Sequence, residues 1–496
     1  MHARILVRRI LHCMLIALSV FATSAQASGD NILVIIADDL GIDMLSVYGK
    51  GADTPPTPNI DSLKANGVMF RNAWANPFCS PTRATIQAGK YGFRTGVGYV
   101  VGESSSNGLP LSDPAIQPLP RVLNAHPELG YHHAAIGKWH LSNTASALPD
   151  RKVYAPNDTG WSYFSGNWSY MGGFNVDDGA DNYFSWQRLE NGNRTTVSGS
   201  PQNPNDPKAY VTTVNVDDAI QWVDKQTGPW LLYLAFNSPH FPYHAPPPGL
   251  LRPVRDVSGA STRNLYKAMI EAMDTEIGRL LSHFSPAVLA KTTIIFLGDN
   301  GTPPGIPISP FDPANAKGTL HEGGINVPLI ISGAGVKKPN RESPALINTT
   351  DLYATVLDLA GVDLRTAFAG TKVDAISLKP ILNNTYNRSL RKFSYAELFT
   401  SPTSIWTQAI RNARFKLIRT VANKSLPDLY TEEFYQLTSE PPFDQVNLLA
   451  NGVLTAEQQR NLGDLRAQLG ALAAGTDQWA LSPGSGLRNV TDFLLD

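Results

Sequence analysis

Two pairs of oxygen donors stand at the ends of apolar runs. Asp38-Asp39 follows Asn31 to Ala37, and Asp299-Asn300 follows Thr292 to Gly298. Carboxylates joined by an amide carbonyl form an all-oxygen set, which suits a hard cation such as calcium or magnesium; zinc prefers nitrogen and sulfur. Taken singly, either pair could cap a helix or form a turn. Gathered at buried strand ends, uncompensated carboxylates would repel one another, and a cation between them is the simpler account. Other ionisable residues follow apolar runs in the same way: Lys138 and His140 come after His133 to Ile136, and His240 comes after Trp230 to Phe236. Alone, a histidine is often a satisfied structural residue and a lysine a solvated one. Their shared location is what makes these residues candidates.

Cys79 is one of two cysteines in 496 residues. The other, Cys13, falls in a segment patterned as a signal peptide, with Arg4, Arg8 and Arg9, a mostly apolar stretch over 10–22, and Ala25-Gln26-Ala27 before Ser28. The apolar stretch is short for a membrane span, and His12 stands where a lipoprotein would carry a small residue, so no stable membrane anchor is expected. An exported chain, periplasmic or secreted, is expected, in which Cys79 has no partner for an intrachain disulfide. By itself such a thiol reads as a small buried apolar side chain. A 42% hydrophobic content, 17% charged residues and a net charge of -1 offer no basic surface for nucleic acid.

The elements that must position these residues show in the periodicity. The runs 31–37, 230–236 and 292–298 are continuously apolar, as in strands covered on both faces, and 133–136 is a shorter one. Helical spacing separates them, most clearly over 265–281 with Leu265, Met269, Met273, Ile277 and Leu280. This predicts an α/β fold, a large mostly parallel or mixed sheet sandwiched by helices, with its site at the carboxyl ends of the strands. A further helix over 351–361 ends at Gly361. Past 388 the texture changes to short alternating runs such as Ala409 to Ile418, predicting a smaller C-terminal domain with an antiparallel sheet and a helix over 456–472. The expected organisation is a signal peptide over 1–27, a catalytic α/β domain over 28–387 and a C-terminal α+β subdomain over 388–496. The aromatic stretch 161–186, with Tyr163, Phe164, Trp168, Tyr170 and Phe174, suits either a substrate mouth or loop packing. Asp177, Asp178 and Asp181 lack the spacing of a calcium loop and read as a solvated turn.

Over nearly all of its mature length the chain resembles the sulfatase family. Cys79-Ser80-Pro81-Thr82-Arg83, followed by Ala84 and by Gly89-Lys90, is similar to the sulfatase signature, whose cysteine is oxidised after translation to formylglycine. The remaining motifs come in the family's order: Ala37-Asp38-Asp39-Leu40-Gly41 before the cysteine, then Gly137-Lys138-Trp139-His140-Leu141, Ser238-Pro239-His240, Asp299-Asn300-Gly301, and Lys317-Gly318-Thr319-Leu320-His321-Glu322-Gly323-Gly324. The resemblance implies calcium, with magnesium as the lesser alternative, held by Asp38, Asp39, Asp299 and Asn300 together with the modified Cys79. It implies that Arg83, Lys138 and Lys317 contact the sulfate or the modified residue, and that His140 and His240 handle protons. Arg83 could otherwise cap its helix. The implied activity is hydrolysis of sulfate monoesters, either aryl sulfates or sulfated carbohydrates, after a formylglycine-generating or equivalent maturing enzyme has acted. A hydrated aldehyde offers two hydroxyls on one carbon, one to attack sulfur and one to expel sulfate, which a serine cannot do.

Three positions depart from the usual family pattern: Asn326, where arginine is common, Ser142, where glycine is common, and Gly298, where serine is frequent. Two alternatives accompany the main reading. A phosphate mono- or diesterase of the same superfamily would carry a Ser or Thr nucleophile and a zinc pair bound by His and Asp. A non-catalytic sulfoglycan-binding protein would lack a key group, and none is missing.

Overall fold

Asn31–Ala37 (β1) forms a strand in which alternate residues enter different cores. Ile32, Val34 and Ile36 pack with the helix Cys79–Ala88 (α1) and the helix Asp351–Leu359 (α4), whereas Leu33, Ile35 and Ala37 pack with Val211–Val223 (α2) and Thr262–His283 (α3). A strand needs no polar face when helices cover both sides, which is why these runs are uninterrupted in sequence. The computed structural model describes residues 29–474 except 102–107, 112, 143–154, 170, 172–181, 201–202, 204, 384–387, 401–404, 423–428 and 442. The signal-peptide segment, Tyr170, Phe174 and the acidic turn with Asp177, Asp178 and Asp181 lie outside the described residues.

The large sheet has ten strands, and five more of them precede β7: Gly67–Trp74 (β2), His132–Lys138 (β3), Tyr163–Asn167 (β4), Ser185–Glu190 (β5) and Asn193–Ser198 (β6). Trp230–Ala235 (β7), Thr292–Gly298 (β8), Leu329–Gly333 (β9) and Arg341–Asn348 (β10) complete it. Their order is β10-β2-β9-β8-β1-β7-β3-β4-β5-β6. The central strands β8, β1, β7, β3 and β4 are parallel, so their carboxyl ends share one edge. In register, Ala37 faces Gly298 and Ile36 faces Ala235, which brings the residues after each strand into one row. Antiparallel strands flank this block on both sides, making the sheet mixed.

Helix α3 extends beyond the predicted 265–281 at both ends, starting from an Ser261 cap that accepts a bond from Asn264 N–H. Its buried face is also wider than the predicted spacing, since Tyr266 and Ile270 join Met269, Met273, Ile277 and Leu280. Ser394–Phe399 (β11), Trp406–Arg411 (β12), Phe415–Val421 (β13) and Tyr430–Gln436 (β14) form the four-stranded antiparallel sheet. Ala456–Ala473 (α5), begun by a Thr455/Gln458 capping box, lays Leu462, Leu465, Leu469 and Leu472 on its Tyr395, Ile410, Leu417 and Phe434. Trp161, Phe164 and Trp186 are buried, so this part of the aromatic stretch is packing. No helix among the described residues is long and apolar enough to cross a membrane.

Candidate active site

Helix α1 begins at Cys79 itself, directly after Phe78 in extended conformation, and all ten of its residues are buried. The hydroxyl of Thr82 turns back to accept the Asn76 N–H at 2.9 Å, fixing the turn before the helix. Cys79 therefore sits at the first helical position, and Arg83, one turn on, lies on the same side. The Arg83 guanidinium donates from Nε and Nη2 to Oδ2 of Asp299 at 3.0 and 2.8 Å, and from Nη1 to the Lys138 carbonyl at 2.7 Å. Its charge is spent on Asp299 rather than on capping its own helix.

The strand ends supply the rest. Lys138, the last residue of β3, is buried and pairs through Nζ with Oδ2 of Asp38. Lys317 reaches Oδ1 of Asp39 at 2.5 Å. Asn300 donates from Nδ2 to the same Asp39 oxygen at 2.8 Å, and the Asp39 N–H donates to Oδ1 of Asp299 at 3.0 Å. Nε2 of His240 lies 3.8 Å from Oδ2 of Asp39, and Nδ1 of His140 lies 3.0 Å from Sγ of Cys79. Ligating atoms of Asp38, Cys79 and Asp299 lie within 4.8 Å of one another, as do those of Asp38, Asp39 and His240. Asp39 and His140 both hold φ near +60°, at 68° and 58°, a conformation that non-glycine residues adopt at some cost and that concentrates at functional sites.

Two glycines permit this convergence. At Gly298 a Cβ would stand 2.1 Å from the Leu40 carbonyl oxygen, so the close exit of β1 past β8 excludes the serine frequent there in the family. At Gly137, with φ of 97°, a Cβ would meet the Ala235 oxygen at 2.0 Å. The other departures are local: Asn326 donates to the Arg71 carbonyl at 3.3 Å, and Ser142 is buried beyond Leu141.

One expectation needs correction. The three carboxylates are not uncompensated, because Lys138, Lys317 and Arg83 each neutralise one of them. Charge repulsion alone is therefore not what calls for a cation. The polar accounting is: Oδ1 of Asp38 and Oδ1 of Asn300 are buried and accept no hydrogen bond. Buried acceptors rarely go without a donor, and two of them beside Asp39 and Asp299 form a donor set that fits a hard divalent cation. The electrostatics agree. Burial pushes Asp38 up to about 7, against the pull of Lys138 and with the push of Asp299 and Asp39. Burial opposes ionisation of Asp39 as well, but Lys317, His240 and Lys138 outweigh it and hold that carboxyl well below the usual range. Burial also raises the Cys79 thiol and drives both His140 and His240 well below the ordinary histidine value, with Lys138 adding to the effect on each imidazole.

All ten residues singled out in the sequence meet at this edge. Sequence reasoning missed what holds them. Glu322, just past Lys317, accepts from Trp74 Nε1 at 3.1 Å and pairs with Arg411 at 3.3 Å and Lys416 at 3.4 Å; Asp444 receives the Glu322 N–H at 3.1 Å and pairs with Lys416 at 2.9 Å. This network ties the Lys317 segment to the small sheet. Tyr183, inside the aromatic stretch, was not marked by any local signal.

An α/β sheet whose parallel carboxyl edge gathers oxygen donors and cationic side chains around one helix-initial cysteine defines a class of hydrolase-like folds, and comparison narrows it. The Sulfatase family model matches residues 30–362, and the chain belongs to the sulfatase family. The model "N-sulphoglucosamine sulphohydrolase, C-terminal" matches residues 315–462. The chain is 28% identical over 395 residues to "Uncharacterized sulfatase YdeN" of Escherichia coli (strain K12), covering 71% of this chain and 66% of that protein. It is 28% identical over 374 residues to N-acetylgalactosamine-6-sulfatase of Homo sapiens, covering 71% and 65%. The matches thus span just under two thirds of those relatives' own lengths. Among solved structures, Ps i-CgsB superposes with a TM-score of 0.68 at 22% identity, over 94% of this chain and 96% of that one. BT4656 in complex with its substrate D-glucosamine-2-N,6-O-disulfate superposes with a TM-score of 0.66 at 20% identity, over 90% and 99%. At these identities the structural likeness is one of fold.

Proposed function

We propose that the chain is a sulfuric ester hydrolase that cleaves sulfate monoesters, with sulfated carbohydrates favoured over aryl sulfates as the natural class. The observation that carries this reading is Cys79 at the start of α1, 3.0 Å from His140 and among Asp38, Asp299 and three cations, of which Arg83 and Lys138 are buried and Lys317 nearly so. The raised thiol speaks against thiolate chemistry at this position, since the nucleophilic form of cysteine is the one that burial disfavours. The sugar arm draws support from the names of N-acetylgalactosamine-6-sulfatase and of the glucosamine disulfate complex. We further propose that the chain is exported and that a maturing enzyme converts Cys79 to formylglycine, for whose oxygen Sγ stands in here.

The formylglycine hydrate supplies the nucleophile and the means of releasing sulfate, and calcium supplies charge stabilisation at the sulfate oxygens. Asp38, Asp39, Asp299 and Asn300 would hold the cation, and the undonated Oδ1 atoms of Asp38 and Asn300 are the acceptors without a protein donor. Arg83, Lys138 and Lys317 would supply positive charge where the ester's oxygens gain negative charge, which lowers the barrier. His140 Nδ1 faces the nucleophilic atom and, neutral in its buried state, can accept its proton. His240 has Nδ1 bound to the Phe241 carbonyl at 2.8 Å, and since a carbonyl only accepts, Nδ1 carries hydrogen and Nε2 is the exchangeable position. Its depressed affinity for a proton is a property of the site without substrate; an anionic ester beside it shifts the balance toward the imidazolium, ready to protonate the leaving oxygen.

The test is the mass of the tryptic peptide containing Cys79 in protein from its native host, together with sulfate release from aryl and sugar esters. The expected peptide is lighter than the cysteine form and reacts with hydrazides. An unmodified thiol in a preparation that nonetheless releases sulfate would overturn the formylglycine reading. Absence of release from every ester would overturn the activity.

A further inference from the structure

We infer that Tyr183 is a positioning residue for the reaction: its phenol clamps the turn Asn237-Ser238-Pro239-His240 and thereby sets where the His240 imidazole stands. The inference deepens the proposed function and rests on its assignment of His240.

The turn leaves β7 at Asn237 and is closed by the His240 N–H on the Asn237 carbonyl at 3.0 Å. The Tyr183 hydroxyl lies 2.7 Å from the Asn237 carbonyl oxygen and 2.7 Å from the His240 carbonyl oxygen. One hydroxyl thus spans both ends of the turn, its single hydrogen shared between two acceptors. Both partners are buried, with Tyr183 at 1% and His240 at 4% exposure, so water cannot replace the donor. The phenol has little freedom of its own. Its ring packs at 4.2 Å from His244 and 5.9 Å from Tyr210, and its carbonyl accepts the Val211 N–H at 2.9 Å, anchoring it to the start of α2. Burial also raises the phenol well above its ordinary value, keeping the hydrogen that the clamp needs.

The rest of the turn is fixed by other groups. The Ser238 carbonyl accepts the Asp38 N–H at 3.1 Å, and the Ser238 hydroxyl donates to Met269 at 3.2 Å. These bonds hold the middle of the turn to the sheet and to α3. At the far end the imidazole bonds the Phe241 carbonyl at 2.8 Å and stacks on the Phe241 ring at 4.5 Å, and the His240 carbonyl is held by the Tyr183 contact. Losing it would free His240 to shift relative to Asp39, 3.8 Å away, without dismantling the turn. A displacement of about 1 Å at a reacting group can cost up to about 10²-fold in rate.

The experiment compares matured wild type, Y183F, H240A and the double variant. Substrates are nitrophenyl sulfate, whose leaving group needs no proton, and a monosaccharide sulfate, whose alkoxide does. Y183F is expected to lower kcat/KM on the sugar ester by about 10- to 10²-fold and on the nitrophenyl ester by less than about threefold. In the H240A background it is expected to add less than about twofold on either, because a residue acting through His240 has nothing left to act on. A merely structural role would instead give similar losses on both esters that multiply with those of H240A, and this result overturns the proposal. Crystal structures of wild type and Y183F supply a readout free of activity. The His240 ring should move relative to Asp39, and an unmoved ring overturns the proposal. A wild type inactive on both esters defeats the functional reading, and the crystallographic comparison then decides the clamp alone.

Discussion

Replacing Asp299 separates its structural work from its chemistry. Arg83 is fully buried and makes three hydrogen bonds, two of them to Oδ2 of Asp299. In D299A the nearest remaining countercharge is Oδ1 of Asp38 at 3.8 Å, beyond hydrogen-bond distance. Stranding one member of a buried pair costs about 3–5 kcal/mol. The Asp39 N–H also loses its acceptor, Oδ1 of Asp299 at 3.0 Å, for about 1–3 kcal/mol more. D299N keeps one oxygen, enough for the Asp39 amide or for Arg83 but not for both, and sets its NH2 donors against the other, so it should recover no more than about 1 kcal/mol relative to D299A. The assay is urea unfolding at unchanged m, with and without calcium, alongside metal content of the folded protein. In wild type, calcium at 100 times its dissociation constant should add about 2.7 kcal/mol, and both variants should lose most of that increment. A D299A protein that unfolds at the wild-type midpoint and retains full metal occupancy would refute both the Arg83 argument and the ligand assignment.

The junction with the small sheet gives a pH prediction. Burial works to raise Asp444, but Lys416 and His321 outweigh it and lower the carboxyl to about 2, below its unfolded value of 3.8. A depressed carboxyl contributes stability above its unfolded pKa and loses it as pH falls toward the folded one, so D444N should cost about 2 kcal/mol near neutrality, narrowing by about 1 kcal/mol between pH 5 and pH 3. Urea midpoints of the two proteins across that window check it, and a constant gap would refute it. For His240, H240A should slow the sugar ester by about 10²–10⁴-fold and nitrophenyl sulfate far less; equal losses in kcat/KM would reassign His240 to holding sulfate oxygens.

Much of the site was legible because it follows from where strands end. Asp38, Lys138, His240 and Asp299 stand just beyond or at the close of apolar runs, and a parallel sheet brings such ends to one edge. The helix around Cys79 was legible differently, through a motif, since its ten buried residues include three polar ones in the first five, Ser80, Thr82 and Arg83. The same composition that hides it as a helix reflects its location, wedged between the strand ends and α4, where polar side chains bond to other elements rather than to water.

What sequence did not give is the pairing. Lys138 meets Asp38 across 100 residues, Lys317 meets Asp39 across 278, and Arg83 meets Asp299 across 216. Local pattern identifies each charge but not its partner, and so the aspartates read as an uncompensated cluster when they are in fact neutralised one by one. This changes the argument for a metal. Balanced charge leaves the proposed cation resting on two undonated oxygens, on Asp38 and Asn300. It also means that the three cations cannot serve a substrate fully while they are held by the aspartates. With Asp38, Asp39, Asp299 and Asn300 holding a cation as proposed, Lys138 and Lys317 would be available to the oxygens of an incoming sulfate. The buried Arg83, held by both Asp299 and the Lys138 carbonyl, would change least.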